Sequence, residues 1–373
     1  MLAADFDPRS VDLDAFLADV QALGKELNDD LGAADLAHLL RIQRWGRVAT
    51  GIGAATAWIA PNPLSALAFS LGRSTRWLLM HHVGHRGYDR VPGTPARLTS
   101  KVFAKGWRRY LDWPDWIEPE AWKYEHNVLH HSNTGESLDP DLVERNTTSL
   151  REQLPPWARY ATLAALALTW RATYYTQATS RALRDQRQRL KPELVQGAEW
   201  AELLLKNYGP YVLLEFVALP LAYLPLGPWA VFSATCNSVL AELLTNLHTF
   251  VVVGPNHSGD DIYRFSTAPS NRAERYLRQI LGSVNYRTGS DLNDFLHLYL
   301  NYQIEHHLWP DAPMRQYQKL QPKVRALCEK HGIPYVQESV WRRVKKLADI
   351  VVGKTSMRVL RPSQQPLPAR RQA

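Results

Sequence analysis

The sequence predicts an all-α integral membrane protein, in which four transmembrane helices form two hairpins that carry a cytosolic helical cap. Hydrophobic residues make up 45% of the 373 residues, and the chain contains 13 Trp, a side chain that favours membrane interfaces. No Lys or Arg lies between Arg47 and Arg73 or between Lys206 and Arg264, and both gaps coincide with apolar stretches. The mean hydropathy is nevertheless −0.32, which indicates a large charged part outside a few membrane segments.

The first predicted hairpin follows an N-terminal helical region, residues 1–44, that is charged and lacks the apolar run of a secretory signal peptide. A bilayer core of about 30 Å needs roughly 20 helical residues. We therefore predict two spans, at about residues 45–60 and 63–80, around the turn "PNP" at residues 61–63. Four flanking arginines are expected at one interface with their side chains directed outwards, namely Arg44, Arg47, Arg73 and Arg76.

The second predicted hairpin has spans at about residues 208–226 and 228–253, with a turn at residues 226–228. Glu215 and Glu242 fall inside these spans and are expected to face the protein interior. Each hairpin returns the chain to its starting side, so the remaining segments share one face. The excess of positive charge assigns that face to the cytoplasm, in a bacterial inner membrane or its equivalent.

A further apolar segment, residues 157–178, is interrupted by Arg159 and Arg171. A span here is the alternative, but it would place His126 and the last histidines on opposite sides of the membrane. We predict an interfacial amphipathic helix instead. The main domain is expected to cover residues 45–345, followed by a tail, residues 346–373, that is disordered from Ser356 onwards.

Charge and cysteine content exclude several classes of function. Lys and Arg exceed Asp and Glu by 44 − 36 = 8, but no groove-reading motif accompanies this charge. We therefore expect the excess positive charge to face anionic lipid and not nucleic acid. Cys236 and Cys328 are far apart and belong to no CxxC motif, which argues against a disulfide framework, a thiolate zinc site and an iron–sulfur cluster.

Three short clusters contain 8 of the 13 histidines. They are "HHVGH" with His81, His82 and His85, "HNVLHH" with His126, His130 and His131, and "QIEHH" with His306 and His307. Residues i and i+4 of a helix project from one face, so imidazoles at this spacing can meet at one point. Imidazole-rich sites bind zinc, copper, iron or nickel, and this set exceeds the three or four protein ligands of one zinc ion. The clusters share one predicted face, and we predict that they bind two metal ions.

These boxes, HxxxH, HxxxHH and QxxHH, resemble those of the membrane fatty acid desaturase family, especially its front-end branch, whose third box begins with Gln. The resemblance extends to "GHRGYD", "HNVLHHSNTGESLDPDL", "DFLHLYLNYQIEHHLWPDAP" and "KVRALCEKHGIPY", and covers about residues 45–345. It implies four spans, a cytosolic cap and two iron ions that activate dioxygen.

Matched box by box, the resemblance implies iron ligation by His81, His85, His126, His130, His131, His306 and His307. The family also takes a ligand from the helix before the third box, which implies His248. Four further residues are candidates for extra ligands or for partners that orient ligands, namely His82, His257, His297 and Gln303. The carboxylates near the boxes are candidates to bind the second ring nitrogens. They are Asp89, Glu125, Asp139, Asp141, Asp294 and Glu305.

The implied reaction introduces a C=C bond into an acyl chain carried by coenzyme A, a carrier protein or a lipid, with dioxygen as co-substrate. Electrons are expected from ferredoxin or cytochrome b5 and the corresponding reductase, because no haem-binding HPGG motif precedes the first span. Acyl hydroxylation or acetylene formation is the close alternative. A non-redox membrane metal-binding protein and a structural scaffold are the alternatives from other classes.

Overall fold

The computed structural model of the protein describes residues 6–192 and 197–360. This part of the chain is mostly helical, as predicted, but it also contains two short parallel strand pairs. The strands are β1 (Tyr263–Phe265), β2 (Asn285–Tyr286), β3 (Gln337–Glu338) and β4 (Arg358–Leu360). Strand β1 pairs with β4, and β2 pairs with β3. Short 3-10 turns lie at Pro8–Ser10, Ala96–Leu98, Gly106–Arg108, Leu224–Leu226, Gly254–His257 and Leu300–Tyr302.

The N-terminal part consists of three helices, α1 (Leu13–Asp29), α2 (Ala33–Thr56) and α3 (Pro63–Gly84). The Asn62 side chain caps α3 by accepting the backbone N–H of Ser65 at 2.8 Å, and Pro63 provides a fixed φ at the first helical position. The predicted boundary at residue 44 lies inside α2, because the helix continues from the charged region into the apolar one without a break.

The segment after α3 contains only brief helices in its described residues. They are α4 (Arg109–Asp112), α5 (Pro119–Trp122), a π-helix at Lys123–His130, α6 (His131–Asn133), α7 (Val143–Asn146) and α8 (Thr148–Gln153). A long helix then runs through α9 (Pro156–Trp170), a π-helical stretch at Arg171–Tyr175, and α10 (Thr176–Leu190). It corresponds to the predicted amphipathic helix at residues 157–178 but continues to Leu190 and packs against α14 (Pro228–Val253) through α9.

In the second hairpin, a helix interrupted by π-helical turns precedes α14. Its α-helical parts are α11 (Glu199–Leu203), α12 (Gly209–Val212) and α13 (Leu219–Leu221), and its π-helical stretches are Leu204–Tyr208 and Leu213–Ala218. Gly227 forms the turn with φ +99°, a left-handed value that favours glycine, and Pro228 begins α14.

Two of the four predicted spans are supported by length and composition. The helical stretches Glu199–Leu226 and Pro228–His257 are both long and apolar enough to cross a membrane. Helices α2 and α3 do not meet the same criterion. Arg41, Arg44 and Arg47 lie in α2, and Arg73, Arg76 and two histidines lie in the second half of α3. Even so, α3 packs against both α2 and α14, so the two hairpins form one bundle.

Buried ion pairs connect the helices of this bundle. The guanidinium of Arg73 donates to Glu215 at 2.9 Å, and that of Arg171 donates to Glu242 at 2.5 Å and to Asp115 at 2.6 Å. Glu215 and Glu242 are buried, as predicted. The expected outward direction of Arg73 is wrong, because its side chain turns inwards to pair with carboxylates that would otherwise be buried without a counter-charge.

The C-terminal part follows α14. Its helices are α15 (Arg272–Leu281), α16 (Asp291–Leu296), α17 (Gln303–Leu308), α18 (Met314–Lys330) and α19 (Val340–Val352). The predicted boundary at residue 345 lies inside α19. The predicted disorder from Ser356 is wrong for residues 356–360, because Met357 is buried and β4 pairs with β1. Residues 361–373 of the predicted tail lie outside the described residues.

Candidate metal centre

The first histidine box lies at the C-terminal end of α3. His81 occupies the last turn of this helix and His85 follows its end, so that the two imidazole rings are 4.8 Å apart. His82 points in a different direction, and its Nε2 lies 3.3 Å from the carbonyl oxygen of Leu298. The i, i+4 spacing therefore brings His81 and His85 together and separates His82 from them.

The second box lies on the π-helix Lys123–His130. The wider turn of a π-helix makes residues i+4 and i+5 neighbours of residue i, and such segments are frequent at functional sites. His126 stacks on His130 with ring centroids 5.1 Å apart, and the ring centroid of His131 lies 4.9 Å from that of His126. His126 therefore adjoins both His130 and His131.

The third box lies on α17, which places His306 and His307 at the centre of the fold. Leu298 and Tyr299 precede this helix with φ values of +56° and +57°, which are unusual for residues other than glycine. The carbonyl of Leu298 faces His82, and the Tyr299 hydroxyl lies 2.8 Å from Nε2 of His38. These contacts accompany the sharp change of chain direction before the box.

Seven histidines form two groups, although they come from segments far apart in the chain. We call them cluster A, which contains His81, His85, His126 and His306, and cluster B, which contains His130, His257 and His307. Within each cluster one ring nitrogen of every histidine lies within 4.8 Å of those of the others. A third such group, His126, His130 and Asp141, joins the two clusters.

His131 lies between the clusters. Its ring centroid is 4.6 Å from that of His85 in cluster A and 4.3 Å from that of His307 in cluster B. Its Nε2 is buried and has no hydrogen-bond partner. This nitrogen is thus available to either cluster.

Hydrogen bonds at Nδ1 fix the orientation of four imidazoles. His130 donates to Asp139 Oδ1 at 2.8 Å, His307 to Gln279 Oε1 at 2.7 Å, and His257 to the carbonyl of Gly282 at 2.9 Å. Nδ1 of His306 lies 3.1 Å from the Tyr317 hydroxyl, which itself donates to the carbonyl of Trp309. Proteins hold metal-binding histidines in this way, with one ring nitrogen anchored and the other left for the metal.

The remaining ring nitrogens test whether the site fits a metal. Buried ring nitrogens without a hydrogen-bond partner include Nε2 of His85 and His307 and both nitrogens of His126. Buried polar atoms are almost always paired, and an unpaired group calls for an explanation such as a bound ion. Nε2 of His81 lies only 3.1 Å from Nε2 of His306. This donor set, with imidazole nitrogens and a nearby carboxylate but no thiolate, fits two imidazole-binding transition metals.

Protonation also favours metal binding. Burial, with the neighbouring histidines as a smaller cause, lowers the pKa values of five imidazoles well below their usual range. They are His85, His126, His131, His306 and His307. These rings are therefore neutral near pH 7, the form in which histidine binds a metal. Burial acts in the same direction on His130, but the carboxylate of Asp139 outweighs it and raises the pKa.

Two residues named from the sequence lie away from both clusters. His248 is held by a contact of 3.0 Å between Nδ1 and the Ser74 hydroxyl and by one of 2.7 Å between Nε2 and the Leu296 carbonyl. Nδ1 of His297 lies 2.8 Å from the carbonyl of Asn293 in its own helix. The structure therefore does not bring His248 into either cluster, and both of its ring nitrogens have partners elsewhere.

His257 and Gln303, in contrast, lie at the metal centre. The ring of His257 lies 4.8 Å from that of His130 and 4.4 Å from that of His307. The Gln303 side chain accepts from Asn256 at 3.1 Å, and its Nε2 is 2.9 Å from Nε2 of His257. His257 thus belongs to cluster B, and Gln303 contacts it from the first position of the third box.

Among the candidate carboxylates, Asp139 holds a histidine of the centre and Asp141 lies nearby, 3.7 Å from His130. The others have different partners: Asp89 accepts from Ser100, Glu125 from Tyr175, Asp294 from Tyr302, and Glu305 from Asn285. No sequence pattern indicated Gln279, Gly282 or Tyr317, which belong to segments without a histidine box.

An apolar cavity of about 230 Å³ opens onto the centre. His81 and His126 of cluster A and His130 and His257 of cluster B lie in its wall. Its other lining residues are Trp77, Asp141, Val143, Asn146, Thr147, Leu150, Thr162, Leu163, Leu166, Trp170, Tyr174, Tyr175, Phe250, Val253, Gly254, Asn256, Leu300, Gln303, Leu347 and Val351. An apolar ligand in this cavity would therefore contact both clusters.

Curated proteins with similar sequences include several desaturases. The NADPH-dependent stearoyl-CoA 9-desaturase of Mycobacterium tuberculosis is 28% identical over 250 residues, which are 61% of this chain and 56% of that protein. The acyl-lipid 8-desaturase of Rebecca salina is 24% identical over 290 residues, 73% of this chain and 59% of that protein. The putative fatty acid desaturase 2-like protein FADS2B of Homo sapiens is 48% identical over 64 residues, 17% of this chain and 13% of that protein. The chain thus spans less than two thirds of the length of these relatives.

A family-wide sequence comparison covers more of the chain. The sequence model described as fatty acid desaturase matches residues 56–339, a range that includes all three histidine boxes, His257 and most of the cavity wall. This chain therefore belongs to the fatty acid desaturase family, whose members are oxidoreductases.

Proposed function

We propose that this protein introduces a C=C bond into a fatty acyl chain at a histidine-ligated di-iron centre. The balanced reaction converts two adjacent methylene groups, dioxygen, two electrons and two protons into a double bond and two molecules of water. The observation that carries the proposal is the contact between the apolar cavity and both histidine clusters.

The ligand set follows from the two clusters. One iron would be bound by cluster A and the other by cluster B, and His131 would complete the coordination from its position between them. When bound, the iron pair supplies the activation of dioxygen that removal of hydrogen from an unactivated methylene requires. Asp139, Gln279, Gly282 and Tyr317 keep the imidazoles in position.

The cavity walls determine which carbons react. Trp77, Leu166, Trp170 and Leu300 exclude water and hold a flexible chain in a narrow space beside the histidines. Positioning of this kind accounts for a large part of enzymatic rate enhancement, and small displacements are costly. Acyl hydroxylation and acetylene formation need the same elements with a different alignment, so product analysis distinguishes them.

A carboxyl group at the cavity wall is available to supply a proton. Burial raises the pKa of Asp141 to about 6. The side chain lines the cavity and lies next to His130. We assign to Asp141 the transfer of a proton from its carboxyl oxygen during turnover.

The proposed location is the cytoplasmic face of a membrane that both hairpins cross. From Val48 to the end of α2, and in the first half of α3, the exposed residues are apolar and include Val48, Ile52, Leu64 and Leu67. The exposed large side chains of α14 are apolar as well. Such a belt suits contact with lipid and supports four spans, although α2 and α3 are less apolar than the second hairpin.

An external electron carrier is expected to dock on a basic cavity close to the centre. We call it the basic surface, and its cationic residues are Arg86, Lys101, Lys105 and Lys123. Gly84 and Asn127, which adjoin His85 and His126 in the chain, also line it. Ferredoxins and cytochrome b5 are commonly acidic, and complementary charge accelerates their encounter with such a surface. Either carrier would act with its own reductase.

Fatty acid analysis of an expression host tests the proposal. Gas chromatography with mass spectrometry should detect a new unsaturated fatty acid with the wild-type chain and none with His130→Ala. A hydroxylated or acetylenic product would favour the close alternatives. Identical profiles for the two chains, together with bound zinc in the purified protein, would favour a non-redox metal-binding protein and contradict the proposal.

A further inference from the structure

We propose that the acyl chain reaches the cavity laterally from the bilayer while it is attached to an anionic glycerophospholipid. This inference rests on the proposed function and specifies the carrier of its substrate. Three observations support it: the position of the cavity mouth, the surface of α9, and a group of cations beside the mouth.

The mouth of the cavity lies between α7 and the long helix at residues 156–190. Most of the lining residues are buried or partly buried, but Asn146, Thr162 and Tyr174 are exposed. The Asn146 side chain donates to the Tyr174 hydroxyl at 2.9 Å, so α7 and the long helix meet at this point. A ligand that enters here must pass along the surface of α9.

The surface of α9 is suited to lipid. Its exposed residues carry no charge, and the large ones among them are Trp157, Tyr160 and Leu168. The same helix lines the cavity through Leu163, Leu166 and Trp170 and packs against the membrane-span candidate α14. The cavity is thus separated from the apolar outer surface by the thickness of one helix.

Four cations lie close to the mouth, and we call them the cation group: Arg145, Arg151, Arg159 and Lys354. The three guanidinium groups are bound by backbone carbonyls, which leave their positive charge in place. Arg145 donates to the carbonyl of Asp139, Arg151 to that of Glu144, and Arg159 to that of Val352. The ammonium of Lys354 lies 5.3 Å from the ring centre of Tyr160.

The depth of the cation group matches lipid phosphates. Arg159 lies between Trp157 and Tyr160 in the sequence of α9, and Trp and Tyr concentrate where the headgroups of a bilayer lie. A phosphodiester at this level would meet the cations while its acyl chain enters beside Thr162. The cavity volume of about 230 Å³ is below the roughly 300–1,000 Å³ of common ligand pockets. The cavity therefore suits the acyl chain of a lipid whose headgroup remains outside.

Coenzyme A also carries phosphates, so the test must separate the two carriers. The larger basic surface does not serve the mouth, because it shares no lining residue with the acyl cavity. An acyl chain that arrives from water as a coenzyme A ester would have to pass exposed Trp157 and Leu168. These features favour a carrier that is already in the bilayer.

The experiment compares two photoactivatable probes on the full-length protein in lipid nanodiscs. One is phosphatidylglycerol with a diazirine in its acyl chain, and the other is the coenzyme A ester of the same acid. After illumination, tryptic peptides are examined by mass spectrometry. Labelling of residues 347–354, which contain the lining residues Leu347 and Val351, reports cavity occupancy. Labelling of residues 48–73, which contain exposed Ile52, Leu64 and Leu67, reports lipid on the outer surface.

Two matched variants locate the path. Thr162→Trp fills the mouth, whereas Ala161→Trp adds the same bulk at a neighbouring exposed residue that does not line the cavity. We expect Thr162→Trp to reduce cavity labelling by the phospholipid about tenfold, equivalent to about 1.4 kcal/mol. Ala161→Trp should leave it unchanged, and neither variant should change labelling of residues 48–73. Lys354→Glu should weaken cavity labelling by the phospholipid as well; in this variant the labelled peptide is residues 347–358, because the cleavage site at residue 354 is lost.

Other outcomes would overturn the inference. If only the coenzyme A ester labels residues 347–354, or if both tryptophan variants behave alike, the chain does not enter laterally from a phospholipid. Failure of the proposed function has a different signature. The phospholipid would still label the cavity, but the host would contain no desaturated, hydroxylated or acetylenic product.

Discussion

His257 and His248 differ in whether they adjoin other histidines, and this difference separates metal binding from packing. His257 lies beside His130 and His307 in cluster B, whereas His248 belongs to neither cluster. We expect His257→Ala to lose the iron of cluster B and His248→Ala to retain both irons. The iron content of the purified variants, measured by plasma mass spectrometry, checks this. Full iron in His257→Ala and loss of iron in His248→Ala would reverse the assignment.

Iron retention should depend on pH. Burial lowers the pKa of His85, His126 and His307 in the folded chain below the usual value of about 6.5. Below about pH 6.5 these histidines bind protons in the unfolded chain but stay neutral in the folded one. The free energy of unfolding is therefore highest at neutral pH and decreases as the pH falls. We expect release of iron and a lower melting temperature between about pH 6.5 and 5. Unchanged iron content and melting temperature across this range would contradict the assignment.

Much of the site at the residue scale could be predicted from the sequence, because the boxes place histidines at spacings that fit one helical face. The partners of those histidines could not. Gln279, Gly282 and Tyr317 reach the centre only through the packing of α15 and α18 against α17. His257 follows α14 without a second histidine nearby in the chain, so no spacing pattern separated it from a surface residue.

At the scale of elements, the basic surface provides a test of the electron carrier. It is built by α3, α5, the loops between them, the π-helix at Lys123–His130 and α10, and Lys101 and Lys105 are its exposed lysines. We expect Lys101→Glu with Lys105→Glu to reduce electron transfer from an acidic carrier about tenfold at low salt, because favourable long-range attraction is lost. Stopped-flow measurements over a range of ionic strength check this effect.

The control for the basic surface is a Lys-to-Glu substitution elsewhere on the protein. Lys345→Glu changes an exposed lysine on α19 that is distant in sequence from the basic surface and does not line it. It should leave the transfer rate nearly unchanged, and all variants should retain iron. Equal rates for the double variant and the wild type at every salt concentration would contradict the docking assignment.

The sequence predicted which segments are helical better than it predicted where helices begin and end. Helix α2 crosses a predicted domain boundary, since a gain in apolar residues does not interrupt backbone hydrogen bonding. The π-helix at Lys123–His130 was not predicted, because the i, i+4 pattern of His126 and His130 also fits an α-helix. Strand β4 depends on a partner, β1, that lies far away in the chain.

At the scale of the whole molecule, both hairpins are proposed to cross the bilayer from the same side. In a background without Cys236 and Cys328, Ile59→Cys and Leu226→Cys place thiols at the two hairpin turns, and Lys101→Cys places one on the cap. An impermeant maleimide should label the two turn cysteines in intact cells, and the cap cysteine only after lysis. If Ile59→Cys reacts only after lysis, α2 and α3 do not form a transmembrane hairpin.

Segments without Lys or Arg alternate with histidine boxes along the chain, and this pattern predicted a mostly helical fold around the histidines. The buried pairing of Arg73 with Glu215 was not predicted, since an arginine near a predicted interface also fits an outward direction. The cavity depends on long-range packing of α9, α14 and α19. Its existence could therefore not be inferred from any local pattern.

The metal content of the purified wild-type chain is the most direct test of the central claim, that two histidine clusters hold two irons beside an acyl cavity. We predict two iron ions per chain and consumption of dioxygen once an electron carrier and an acyl substrate are supplied. His130→Ala should lose iron and show no such consumption. A chain that contains zinc after expression in iron-rich medium and consumes no dioxygen, or a His130→Ala variant that keeps both irons, would contradict the claim.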